Sequence, residues 1–133
     1  MRDSPSPKAS ILLALEHRPS AELLREHLRR QGHETVHVED GRDAHQYLET
    51  ESPGAVVAGT RLPGRTGREL VRLVPPFDPP VVLLGRRGND GEVVQALEQG
   101  AADYITRPFS PPVAAARVRR VLSFREAFPH AAA

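Results

Sequence analysis

Two histidines separated by three residues form the pattern in this chain that most resembles a metal site. The segment His33-Glu34-Thr35-Val36-His37 matches the H-E-x-x-H pattern of zinc proteases, in which both histidines share one face of a helix. Here Gly32 ends a predicted helix, and the segment itself alternates as a strand does. Four residues of strand separate the histidines by about 13 Å, too far for one zinc ion. We therefore interpret the match as fortuitous and expect neither a metal nor a cofactor. The other histidines are expected at the surface: His17, His27, His45 and His130.

Arginine offers the second kind of chemistry, because six arginines lie in or beside loops that follow the predicted strands. They are Arg18, Arg61, Arg65, Arg86, Arg87 and Arg107. Guanidinium groups and the helix amino terminus at Thr66 could together hold a phosphate, a nucleotide or an acidic peptide. The alternative is that these arginines are solvated loop side chains, and that Arg107 pairs with Glu16. No Ser-His-Asp set can be assembled, so we expect no enzyme.

The length and composition favour a single domain. A chain of 133 residues is too short for two domains with good cores. The absence of cysteine excludes disulfides and thiolate metal sites. The amino-terminal residues lack the apolar region of a signal peptide, and no apolar run approaches the roughly 20 residues that span a bilayer. A net charge of +1 argues against nucleic-acid binding by the whole surface. We expect a cytoplasmic protein that binds neither membranes nor nucleic acid.

Five apolar runs are predicted to form the strands that position these residues. The run Ile11-Leu12-Leu13-Ala14-Leu15 is continuous, as in a strand that is covered on both faces. The second run, over residues 34–38, alternates polar and apolar residues and suits an edge strand. The other three runs cover residues 55–58, 81–84 and 103–105.

Amphipathic segments with recognisable ends lie between and after these runs. The residues predicted to begin the five helices are Ser20, Asp40, Thr66, Asn89 and Ser110. Thr66 belongs to a capping box with Glu69, and Pro111 suits the first position of the last helix. Gly32, Pro75-Pro76 and Gly100 are predicted to end the first, third and fourth helices. The resulting (βα)₅ alternation predicts a doubly wound α/β domain with a parallel sheet.

Two segments carry a resemblance to a known family. They are residues 54–59 (GAVVAG), followed by Leu62-Pro63-Gly64, and residues 100–109 (GAADYITRPF). Both are similar to motifs of the CheY-like receiver domains of bacterial response regulators. The resemblance implies a flavodoxin-like fold with strand order 2-1-3-4-5. It also implies a receiver-like domain at residues 9–124. The composition of the chain ends predicts a flexible tail at residues 1–8 and a second tail at residues 125–133.

The resemblance further implies an active site at five positions, where receivers carry two metal-binding acids, a phosphate-accepting aspartate, a hydroxyl residue and a lysine. The matching residues here are Leu15, Glu16, Gly59, Gly85 and Arg107. Glycine cannot accept a phosphoryl group, and one carboxylate is a poor Mg²⁺ site. We therefore expect a degenerate receiver that is not phosphorylated.

A receiver without phosphorylation is expected to act as a protein-interaction module in bacterial signalling. The resemblance implies that a protein partner or a second copy docks on the face made by helix four, strand five and helix five. On that face we expect Glu92, Gln95, Gln99, Tyr104, Arg117 and Arg120, with small side chains such as Ala115. We expect Tyr104 to hold one rotamer, because Gly85 leaves open the pocket into which the ring can move. The alternative function is a sensor that binds a nucleotide or another small anion among the arginines.

Overall fold

Five parallel strands form the centre of the protein. The computed structural model describes residues 10–127, with side chains up to residue 124. The strands are β1 (Ile11–Ala14), β2 (Thr35–Val38), β3 (Ala55–Gly59), β4 (Val81–Arg86) and β5 (Asp103–Arg107). They pair in the order β2-β1-β3-β4-β5, which confirms the predicted fold and places β2 at an edge. The strands are paired so that Ile11 lies beside both Thr35 and Ala55, and Gly59 lies beside Leu84.

Five helices cover both faces of the sheet. They are α1 (Arg18–Arg30), α2 (Gly41–Thr50), α3 (Gly67–Leu73), α4 (Asp90–Glu98) and α5 (Pro111–Ala127). One core cluster joins α1 and α5 to the odd-numbered side chains of β1 and β3, such as Leu13 and Val57. The other joins α2, α3 and α4 to the even-numbered ones, such as Leu12 and Val56. Burial on both faces explains why β1 and β3 read as continuous apolar runs.

Most predicted helix ends are confirmed. Asp40 caps α2 by accepting a hydrogen bond from the Arg42 N–H, and Asn89 caps α4 in the same way through Glu92. The capping box of Thr66 and Glu69 opens α3, and the Thr66 backbone N–H holds the pKa of the Glu69 carboxyl below its usual value. Gly32 and Gly100 have positive φ directly after the ends of α1 and α4, where glycine adopts this conformation at little cost.

Two predicted boundaries differ from the structure. The first helix begins at Arg18 and not at Ser20, because His17 is the cap and its Nδ1 accepts a hydrogen bond from the Ser20 N–H. The last helix continues to Ala127, past the predicted domain boundary at residue 124. Residues 1–9 and 128–133, which hold most of the two predicted tails, lie outside the described residues. No helix within residues 10–127 is long and apolar enough to cross a membrane.

The loop between β3 and α3 is packed tightly against the start of α2. The Gly41 N–H donates to the Pro63 carbonyl at 2.7 Å. A Cβ atom at Gly41 would lie 1.8 Å from the Arg65 carbonyl oxygen. Gly64 has a φ of +81°, and a Cβ atom there would lie 2.4 Å from the Asp40 carboxylate. These contacts fix the loop that follows β3, so the residues around the carboxyl end of β3 are held in place.

This packing predicts that Gly41→Ala destabilises the protein, because backbone atoms that cannot rotate away occupy the new methyl position. We expect the free energy of unfolding to fall by about 2–3 kcal/mol. Gly91→Ala is the matched control, since the nearest atom to its Cβ position is 3.9 Å away and alanine favours the helix. Urea unfolding of both variants measures the difference. Equal effects of the two substitutions would contradict the tight packing at Gly41.

Candidate functional site

The carboxyl ends of β1, β3 and β5 bring three of the predicted site residues together. Glu16 follows β1, Gly59 ends β3 and Arg107 ends β5. Glu16 Oε1 lies 3.6 Å from Arg107 Nη2, so the two side chains form the ion pair that the sequence offered as an alternative to an anion site. A Cβ atom at Gly59 would lie 2.8 Å from Glu16 Oε1 and 3.6 Å from Arg107 Nη2. The space next to Gly59 is therefore occupied by the carboxylate of Glu16.

Leu15 takes no part in this arrangement. Its side chain is fully buried and belongs to the core cluster between the sheet and helices α1 and α5. Its backbone N–H donates to the Val38 carbonyl at 3.0 Å, which continues the β1–β2 pairing for one residue. Glu16 is thus the one acid that follows β1 directly, and it already faces Arg107. Within residues 10–127, no group of three or more histidine, aspartate or glutamate side chains is arranged to hold a metal ion.

Gly85, near the end of β4, leaves a second space that Tyr104 fills. A Cβ atom at Gly85 would lie 2.0 Å from the Tyr104 hydroxyl oxygen and 2.9 Å from Thr60 Cγ2. The Tyr104 side chain belongs to the core cluster that packs against α2, α3 and α4, and the residue is only 6% exposed. Its hydroxyl donates to Glu92 Oε1 at 3.3 Å, which connects β5 to α4.

Tyr104 therefore lies inside the protein and is not available on the expected partner face. Ala115 was also expected on that face, but it is fully buried against the sheet. The cause in both cases is packing: the missing side chain at Gly85 admits the tyrosine ring, and α5 presents Ala115 to the core. Sequence reasoning also missed Thr60 and Glu92 as neighbours of the ring. Thr60 is 8% exposed and directly follows β3. Its position directly after Gly59 was the available signal.

The six arginines do not share one environment. Arg18 is bound to Glu39, with its Nη2 atom 2.6 Å from Glu39 Oε2, and Arg107 is paired with Glu16. The other four form no salt bridge with the described residues. They are Arg61, Arg65, Arg86 and Arg87. Three of these are exposed, and Arg65 is half-buried beside α2.

His37 lies on strand β2, and its Nε2 atom donates to the Leu15 carbonyl at 2.9 Å. The strand conformation predicted for the H-E-x-x-H segment is confirmed from Thr35 onward. The two histidines therefore do not share the face of a helix that the zinc-protease pattern requires.

Comparison with known proteins agrees with the fold. The family model of the response regulator receiver domain matches residues 11–119. The chain belongs to this family. Receiver domains are signalling modules, and the family places the chain in two-component signalling.

Individual relatives extend the comparison. The phosphate regulon transcriptional regulatory protein PhoB of Pseudomonas aeruginosa is 33% identical over 117 residues, which cover 85% of this chain and 51% of that protein. The chain thus spans about half the length of this curated relative. The receiver domain of a signal transduction histidine kinase from Syntrophus aciditrophicus is 33% identical, with a TM-score of 0.76 over 87% of this chain and 91% of that chain.

A second solved structure supports the fold alone, because its sequence identity is only 21%. It is the receiver domain of a putative Luxo repressor protein from Vibrio parahaemolyticus, with a TM-score of 0.85 over 92% of this chain and 95% of that chain.

The contacts of Tyr104 predict that Gly85→Ala expels the ring, because the new methyl group would overlap the hydroxyl. Burial, reinforced by Glu92, raises the pKa of Tyr104 above its usual 10.0. In the variant the solvated ring should titrate near its usual pKa. Absorbance titration of Gly85→Ala measures this shift. The signal of Tyr47, the other tyrosine of the chain, is obtained from Tyr104→Phe and subtracted. Gly91→Ala is the control, and a tyrosine pKa that stays raised in Gly85→Ala would show that the ring remains inside.

The same shift has a consequence for stability. Because folded Tyr104 keeps its proton where the unfolded chain releases it, the free energy of unfolding should fall as the pH rises above about 10. This decline should be smaller in Tyr104→Phe, which has no phenol at this position.

Proposed function

We propose that this receiver domain signals without being phosphorylated and acts by docking a protein partner. The observation that carries the proposal is the end of β3, where Gly59 offers no nucleophile and the Glu16 carboxylate fills the adjoining space. Phosphoryl transfer to a receiver needs an attacking side-chain oxygen at this point. It also needs positive charge that is free to stabilise the transferring group. Here Arg107 already faces Glu16.

The surroundings of Glu16 also argue against a magnesium site. Mg²⁺ in phosphoryl-transfer sites is bound by one or two carboxylates together with phosphate oxygens and water. Leu15 contributes only a buried alkyl group, and Glu16 is the ion-pair partner of Arg107. A metal at this position would have to compete with that guanidinium for a single carboxylate.

The inward position of Tyr104 supports a fixed signalling state. The ring fills the space over Gly85 and its hydroxyl binds Glu92 on α4, so β5 and α4 are held in one arrangement. An outward rotamer would leave an apolar space behind it, which costs free energy in a packed core. We propose that the partner face is therefore presented constantly, whatever the state of an upstream kinase.

Apart from Tyr104 and Ala115, the residues expected on the partner face are at least partly exposed. Gln95 on α4 and Gln99, which caps the carboxyl end of that helix, are exposed, and both lie within hydrogen-bond distance of Arg68. Arg117 and Arg120 on α5 are exposed, and both pair with Asp103, at 3.5 Å and 3.4 Å. Glu92 is half-buried at the edge of this face.

Apolar anchors for the partner come from positions other than Tyr104. Val113 on α5 is 51% exposed and lies in a shallow depression of about 360 Å³ with Pro112, Ala116 and the two arginines. Val94 and Leu97 on α4 are 52% and 45% exposed. An apolar centre with an arginine rim is a common arrangement for a protein-binding surface. The proposed partner is either another protein or a second copy of this chain.

A small-anion sensor is the second candidate. It is favoured by the four arginines that form no salt bridge with the described residues: Arg61, Arg65, Arg86 and Arg87. It is weakened by the ion pairs of Arg18 and Arg107, because an anion would have to displace Glu39 or Glu16 to reach them. Protein docking is therefore the function that the geometry supports better.

The proposal predicts that the protein gains no phosphoryl group when it is incubated with acetyl phosphate and Mg²⁺. Intact-mass measurement before and after hydroxylamine treatment detects an acyl phosphate directly. We expect Gly59→Asp to fold, since only the flexible end of Glu16 must move, and to stay unlabelled because the metal site is still incomplete. A hydroxylamine-sensitive phosphoryl mass on the unsubstituted protein would sink the proposal. Labelling of Gly59→Asp alone would show that the acceptor was the one missing part.

The docking surface predicts that Arg117→Glu abolishes partner capture while Arg86→Glu leaves it intact. Charge reversal at an interface anchor typically costs a factor of about 10 or more in affinity. Arg119→Glu is the matched control on the same helix, because Arg119 is exposed and forms no salt bridge with the described residues. Pull-down from the native host and sedimentation of the purified protein separate a foreign partner from a second copy. Loss of capture with Arg86→Glu alone would favour the sensor.

A further inference from the structure

A cleft lies near the amino ends of strands β3 and β4, whereas the candidate site lies at the carboxyl ends of the strands. It has a volume of about 260 Å³ and lies between the end of α2 and the loop that joins α3 to β4. Leu48, Leu73 and Val74 provide apolar lining, and Pro53 and Pro79 close it near the amino ends of β3 and β4. The cleft is thus separated by the length of the strands from Gly59 and Gly85, which lie at their carboxyl ends.

Phe77, which precedes the lining residue Asp78 in the loop between α3 and β4, is held in an unusual conformation. Its φ of 57° lies in the left-handed region, which costs free energy for a residue with a side chain. The ring is nevertheless 43% exposed, and the neighbouring Leu73 is 44% exposed. Prolines 75, 76, 79 and 80 surround Phe77 in the sequence and restrict the loop. A strained and restricted loop that presents an aromatic ring to solvent is pre-organised for binding.

The charge of the cleft indicates the chemistry of its ligand. Glu49, Glu51 and Asp78 line it, whereas none of its lining residues is arginine or lysine. His45 is the remaining ionisable residue of the lining. The acidic lining of the cleft differs from the composition of the whole chain, which has 18 lysine and arginine residues and a net charge of +1. Glu49 and Glu51 form no salt bridge with the described residues, so their charges are available to a cationic ligand.

We propose that this cleft binds a segment of a partner protein in which an apolar side chain adjoins arginine or lysine. The apolar side chain would occupy the cleft between Leu48 and Leu73 and contact the ring of Phe77. The cationic groups would pair with Glu49 and Glu51 at the rim. The site is separate from the face of α4, β5 and α5, so the domain could bind two protein segments at once and act as an adaptor.

Selection of phage-displayed 12-residue peptides on the immobilised full chain tests this proposal. We expect the enriched peptides to combine apolar and basic residues. Binding of a synthetic enriched peptide, measured by titration calorimetry, should weaken at least tenfold in the double variant Glu49→Lys, Glu51→Lys. The control double variant Glu34→Lys, Glu98→Lys makes the same change of net charge away from the cleft lining and should bind normally. Absence of enrichment, or enrichment of acidic peptides, would overturn the proposal.

Phe77→Gly separates a binding role from a structural one. Glycine adopts positive φ without strain, so the melting temperature should not fall, whereas peptide affinity should fall because the ring is lost. A lower melting temperature with unchanged affinity would assign Phe77 to folding and overturn its part in the site. Sedimentation of the unsubstituted and Glu49→Lys, Glu51→Lys proteins tests the other occupant. A dimer that only the double variant dissociates would show that a second copy fills the cleft.

Discussion

Two neighbouring strands of the sheet carry glycine at or near their carboxyl ends, and the volume that side chains would occupy there is filled from other strands. Glu16 reaches from the end of β1 to the space beside Gly59, and Tyr104 reaches from β5 to the space over Gly85. Neither glycine leaves a void, because protein interiors are close-packed and neighbouring side chains fill the space. Both glycines nevertheless change which chemical groups are present at this site. At the positions where the family resemblance implies the phosphorylation site, the structure has an ion pair and a buried phenol. Most of the proposed functional properties follow from the positions of Glu16 and Tyr104.

The presence of glycine at the end of β3 also affects the balance of charge around Arg107. A carboxylate at the end of β3 would add a negative charge near Arg107, whereas here Glu16 alone supplies the counter-charge, at 3.6 Å. Both side chains are partly exposed, so the pair contributes little to stability and chiefly sets which groups are free to bind a ligand. Arg18 is similarly satisfied by Glu39. The positive charge that the sequence concentrates at this edge is therefore partly neutralised within the domain.

Local signals in the sequence were sufficient for most of the fold. Continuous apolar runs identified β1 and β3, and the capping residues Asp40, Thr66 and Asn89 marked their helices because capping depends on residues only two or three apart. The start of α1 was misjudged because His17, an uncommon cap, takes the place of Ser20. The direction of Tyr104 could not be read locally, since it depends on Gly85, Thr60 and Glu92, which belong to other elements. The acceptor position at Gly59 was accessible only through the family resemblance, and the acidic cleft beside Phe77 had no sequence signal.

The relative size of the forces on Tyr104 shows which part of its surroundings controls the position of its ring. Its hydrogen bond to Glu92 is long, at 3.3 Å, and such a bond contributes on the order of 1 kcal/mol. Burial of the ring contributes about 2–3 kcal/mol. A methyl group at Gly85 would approach the hydroxyl to 2.0 Å, a repulsion that neither contribution can offset without movement. The volume at position 85 is therefore the dominant control, and the hydrogen bond only selects where the hydroxyl points. In the function proposed above, the missing methyl group at position 85 holds the domain in one signalling state, which a switchable receiver reaches by chemical modification.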